Sequence, residues 1–170
     1  MIRLKLTEER WSQIGLSLAL LWILQAAILP KIQFLEVLQS RNDWRLATGS
    51  LLFLGVSLQW LLFGCRVLGF RASSKKITHW HYVGGALAPL GLYLHSSGFG
   101  YGVLGVLTAA FLLNTILGAC NKSLVKGEHA KLIWKRSWLP AHILLSLTTS
   151  FLVLWHLYLI LFFHSELKAS

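Results

Sequence analysis

Five apolar stretches follow one another along the chain, at about 11–30, 46–66, 79–97, 100–120 and 138–163, and most polar residues fall between them. A helix crossing a bilayer needs about 20 apolar residues. The pattern therefore predicts an all-α, membrane-embedded bundle of five transmembrane helices that uses residues 1–170 as a single domain. Trp11, Trp44, Trp80, Trp134 and Trp138 stand at span ends, where indole rings favour the interface. Pro140 falls in the first turn of the fifth span, where its missing N–H is harmless. Pro89 lies inside the third span, so a bend or a freed carbonyl near residue 85 is expected there. The short uncharged turn from Ser96 to Gly100 makes the third and fourth spans antiparallel neighbours. The longer segment from Asn121 to Ser137 is basic and amphipathic around Leu132, Ile133 and Trp134, and is expected to lie on the membrane surface.

Composition strengthens this picture and charge orients it. Hydrophobic residues make up 55% of the chain and charged ones 13%, too few for the surface of a soluble domain of this size. The net charge of +10 does not point to nucleic acid, because the basic residues cluster in alternate loops instead of along one face. Twelve of the 16 Lys and Arg precede the first span, follow the second or follow the fourth. The positive-inside rule then places the N-terminus in the cytoplasm and the C-terminus outside, in a bacterial inner or other energy-transducing membrane. The first span reads as an uncleaved anchor, since its apolar stretch is long for a secretory signal and Glu8 and Glu9 dilute the basic start. Cys65 and Cys120 fall at cytoplasmic span ends and read as packing residues.

The candidate chemistry lies in four histidines within the apolar spans. His81 and His95 are 14 residues apart, and so are His142 and His156. Fourteen helical residues are about four turns, so each pair lies on one side of its helix within roughly 40°, the two rings about 21 Å apart along the axis. The third and fifth spans run parallel, which sets His81 opposite His142 and His95 opposite His156. Two facing imidazoles at two levels can ligate two haem irons. No C-x-x-C-H occurs, so two non-covalent b haems are the cofactors expected. Gly84, Gly85, Ala88 and Gly91 lie on the side of the third span that carries His81 and His95, where small residues leave room for a flat macrocycle. The same residues also suit helix packing. The corresponding side of the fifth span, with Leu145, Ser146, Thr149, Leu152 and Val153, is less open. His79, His129 and His164 read as interfacial or solvated. Anionic propionates would find Arg71, Lys75, Lys76, Lys135 and Arg136 at the inner level, and Ser96, Ser97, Tyr101, Arg41 or Arg45 at the outer one.

The two H-x13-H pairs on parallel spans resemble the haem-binding core of cytochromes b from quinol-oxidising complexes and of the ferric reductase and NADPH oxidase transmembrane family. The segment from His81-Tyr82-Val83-Gly84-Gly85 to Leu94-His95 is similar to the first ligand helix of ferric-reductase-like domains. The likeness covers mainly residues 79–163 and implies electron transfer between the membrane faces through haems on His81, His95, His142 and His156. The chain lacks the cytosolic flavin and nicotinamide domain of the oxidases and shows no recognisable quinol-site loop. It is therefore expected to be an electron-transfer subunit among membrane lipid and other redox subunits, or supplied by a quinol, rather than a self-sufficient enzyme. A stand-alone quinol dehydrogenase or ferric reductase, and a haem-free structural or assembly protein, are the alternatives.

Overall fold

The computed structural model describes residues 2–120 and 128–167. Six helices carry most of them: α1 (Ile2–Ala27), α2 (Gln33–Ser40), α3 (Asn42–Val67), α4 (Arg71–His95), α5 (Val103–Ala119) and α6 (Glu128–Leu167). No strand occurs among the described residues, in keeping with the all-α expectation. Two helical segments, α3 and residues 131–162 of α6, are long and apolar enough to cross a membrane, and α5 is a shorter apolar helix. Only 11% and 6% of the apolar windows of α3 and α6 are buried within the chain. A core helix of a water-soluble protein would hide most of that surface.

Element boundaries differ from the sequence pattern in three places. First, an eight-residue helix, α2, occupies the segment read as a plain loop; it buries Leu35 and leaves Phe34 and Val37 exposed. Second, α6 already begins at Glu128, so residues 128–137 are continuous with the last helix. Pro140 accordingly sits inside that helix instead of in its first turn, and the Arg136 carbonyl lacks the N–H it would otherwise accept from four residues on. Third, α4 stays helical from Arg71 to His95 around a fully buried Pro89. Lys122, Lys126 and Lys168 lie outside the described residues, as do the side chains of Arg3, Lys5, Arg71, Lys75, Lys135 and His164.

The hairpin of α3 and α4 is closed by glycine geometry. Gly69 has φ 77°, a backbone conformation that a Cβ disfavours. The Phe70 N–H donates to the Cys65 carbonyl at 2.9 Å and the Gly69 N–H to the Arg66 carbonyl at 3.4 Å. This paired arrangement satisfies the last carbonyls of α3 and turns the chain back within three residues. α4 then packs between α1 and α3, while α5 packs on α6 and α1. Small residues permit the close approach: a Cβ on Gly15 of α1 would stand 3.0 Å from the Ala86 Cα of α4. Ala19, Trp22, Leu92, Phe111 and Leu112 form the buried core where α1, α4 and α5 meet. α4 and α6 do not pack on one another to a comparable extent. A cavity occupies part of the space between them.

Candidate functional site

The cavity, about 190 Å3, is lined from five helices and has His81 of α4 and His142 of α6 in its wall. Their ring centroids are 6.3 Å apart and their planes cross at 86°. At a metal–imidazole distance of about 2.0–2.1 Å, two imidazoles on opposite sides of one metal ion have ring centres roughly 6–6.5 Å apart. The spacing of this pair falls in that interval.

Neighbouring polar groups on the cavity wall have partners. The Trp60 indole donates to Ser150 Oγ at 2.9 Å, the Ser146 hydroxyl to Asn114 Oδ1 at 3.0 Å, and the Thr115 and Thr149 hydroxyls to backbone carbonyls of their own helices. Nδ1 of His81 and Nδ1 of His142 are buried and have no hydrogen-bond partner among the described residues. A buried polar atom left unmatched costs about 1–3 kcal/mol, so two in one cavity need a reason. The His142 ring is fixed from behind: the Trp138 indole stacks on it with centroids 5.6 Å apart and planes 9° from parallel. Trp138 is itself tied to α5 through its N–H, which donates to the Leu117 carbonyl at 2.7 Å. Beside that carbonyl, a Cβ on Gly118 would lie 3.0 Å from Cε1 of His142.

The second pair of histidines is held differently. Nδ1 of His95 is 3.1 Å from the Thr48 hydroxyl of α3, and a Cβ on Gly49 would lie 3.0 Å from its Cε1. His95 is the last residue of α4, where backbone carbonyls lack intrahelical donors. Three side chains from three helices supply them. Gln39 of α2 donates to the Tyr93 carbonyl at 2.7 Å, Trp44 of α3 to that of Leu94 at 2.9 Å, and Trp22 of α1 to that of Ser96 at 3.0 Å. His156 lies within electrostatic range of His95, and Arg45 within range of both.

The predicted small residues divide around the His81 side of α4. Gly85 and Ala88 line the cavity, whereas Gly84 packs against the Gln59 side chain of α3 and Gly91 against Leu52. The helical wheel accounts for this: at about 100° per residue, Gly84 and Gly91 fall roughly 60° and 80° to one side of His81, while Ala88 is near its centre and Gly85 to the other side. Of the residues expected near an anionic group, Lys76 and Arg136 are exposed, Tyr101 is fully out in solvent, and Arg41 is engaged with Asp43. His79 and His129 are exposed. Cys65 and Cys120 are free thiols. The structure adds Arg66 and Tyr82 to the cavity wall, and Gly118, Gly49, Trp138 and Thr48 as neighbours of the histidines.

Among the described residues no three or more His, Cys, Asp or Glu side chains converge on one point. A metal ion held by protein alone usually takes three or four such ligands. A chelate that brings its own donors would need fewer protein ligands, and His81 and His142 stand close enough together to supply two. No protein-family model, curated protein or solved structure matches the chain. Fold and site together define a helical bundle with a histidine-walled cavity at one end and a second histidine pair at the other.

Proposed function

We propose that this chain is a membrane electron carrier holding two b haems, the inner one on His81 and His142 and the outer one on His95 and His156. The observation that carries this reading is the crossed His81–His142 ring pair, 6.3 Å between centroids, on the wall of a cavity lined from five helices. The duplicated 14-residue spacing extends the reading to the second pair. In this reading α1, α3, α4, α5 and α6 are five spans, the N-terminus faces the cytoplasm, and the cluster of basic loops marks the inner side.

When bound between two histidines, a haem supplies a one-electron couple and has no open iron position for substrate. The chain's own residues do the remainder. Trp60, Ser150, Ser146 and Asn114 satisfy one another and so present an inert wall. Arg66 and Tyr82 give the inner cavity a polar end that an anionic group of the cofactor can use. Thr48 holds the His95 ring in one orientation, which selects the nitrogen left for the metal. Lipid surrounds the exposed apolar faces, and a quinol or another redox subunit feeds the conduit.

Visible spectra of the purified protein, oxidised and dithionite-reduced, test the reading, together with the haem content per chain. Low-spin b-type bands and two haems per chain are expected. A chain purified without haem, and unable to take it up when supplied, would leave the histidines as structural links between helices and end the proposal.

A further inference from the structure

The back of the His142 ring is more elaborately built than a ligand alone requires. One face of the imidazole lies parallel to the Trp138 indole, at 5.6 Å between centroids and 9° between planes. One edge, Cε1, abuts Gly118, where an added Cβ would stand only 3.0 Å away. Both contacts are anchored at the same place, since the Trp138 N–H donates to the carbonyl of Leu117, the residue before Gly118. The His81 ring stands across from this arrangement at 86°. Four helical turns of spacing do not determine such an angle: a histidine ring rotates freely about its last side-chain bond unless something stops it.

We infer that Trp138 and Gly118 are positioning residues that fix the plane of His142, and thereby hold the two axial imidazoles of the inner haem crossed. The inference rests on the proposed haem ligation and specifies how that site is tuned. Crossed imidazole planes interact equally with the two iron orbitals available for π-bonding, so these stay close in energy. The ferric low-spin signal in electron paramagnetic resonance then becomes strongly anisotropic and moves far to low field. Parallel planes split the orbitals and produce a rhombic signal. Axial-ligand orientation thus leaves a signature that mere packing of α5 on α6 does not.

The test uses the full-length protein with both haems and three variants. Trp138→Leu removes the stack and the tether; Trp138→Phe keeps an aromatic face but loses the tether; Gly118→Ala pushes the His142 edge by a few tenths of an ångström. We expect Trp138→Leu and Gly118→Ala to shift the inner-haem signal from its low-field position toward a rhombic one, with the outer-haem signal unmoved. Trp138→Phe should shift it less. Loss of the inner haem alone from Trp138→Leu passes the decision to the Gly118→Ala and Trp138→Phe signals. Loss of both haems marks general destabilisation, and the Gly118→Ala and Trp138→Phe signals then decide. Variants that keep two haems and an unchanged inner signal overturn the positioning role while leaving the haem reading intact. A wild-type protein without haem overturns both.

Discussion

At one end of the bundle the His81 and His142 rings cross at 86° in the wall of a cavity, each with a buried Nδ1 that lacks a close partner among the described residues, whereas at the other end His95 already has a hydroxyl on Nδ1 and terminates a helix tied down from three sides. The first site is set by side chains: a stacked indole, a glycine notch and a facing ring. The second has a glycine notch too, at Gly49, and the Thr48 hydroxyl on the ring, but here Gln39, Trp44 and Trp22 also fix the last turn of α4 through its backbone carbonyls. Side-chain control leaves a ring adjustable by single substitutions around it. Backbone control makes the ring's position a property of the fold.

The largest effect expected is the separate loss of each site. On the proposed ligation, His81→Ala should remove the inner haem and His95→Ala the outer, each leaving about half the haem of the wild type by extraction and absorbance. If either substitution removed both haems, the two ends would be one cooperative unit and the contrast between them would fail. Trp22→Ala ranks next. Its indole is 1% exposed, meets Phe99 edge-on at 4.9 Å and donates to the end of α4. Removing it should cost about 3–5 kcal/mol, the range for a large buried aromatic. Thermal unfolding in detergent measures the loss, and the outer-haem bands should weaken before the inner ones.

Gly49→Ala and Thr48→Val probe the His95 ring itself. The alanine methyl would press on Cε1 from 3.0 Å, an overpacking of about 1–3 kcal/mol in a helix contact held by its neighbours. The valine removes the hydroxyl at 3.1 Å, about 0.5–1.5 kcal/mol. Both should alter the outer-haem spectrum and leave the inner one in place. Equal changes at both ends would show that the two rings are not set independently.

What the sequence makes legible here, and what it hides, divides along the same physical line. The spacing of His81, His95, His142 and His156 is periodic on single helices, so it can be read without a structure. Gly49 and Gly118 sit on other helices, and no periodicity links a glycine to a ring that another segment delivers. Trp138 and Trp44 read as interfacial anchors because they stand at span ends; their inter-helix hydrogen bonds depend on which carbonyls arrive opposite them. Gly84 and Gly85 are adjacent in sequence, yet about 100° apart around the helix, and only the placement of α3 tells the packing residue from the cavity residue. Pro140 misleads for a similar reason, since a proline near a polar-to-apolar boundary resembles a helix start when the preceding turns are amphipathic.

The smallest effect expected lies at the start of α3, near Thr48 and the His95 end. The Arg41 guanidinium meets the Asp43 carboxylate at 2.7 and 3.2 Å. That hydrogen bond, helped by the Trp44 backbone N–H, holds the Asp43 carboxyl below its ordinary value. A folded-state value lowered in this way stabilises the fold above the ordinary carboxylate range, and the contribution fades as pH falls through the lowered value. Both side chains are more than half exposed, so water and salt screen the pair. Asp43→Asn should therefore lower the unfolding temperature slightly at neutral pH and low salt, with the deficit closing as acidification protonates Asp43. A deficit that instead grew on acidification would reverse the sign and place the dominant interaction of Asp43 elsewhere. Because the pair sits at the His95 end of the bundle, any spectral signal from a haem at His81 and His142 should not register the change.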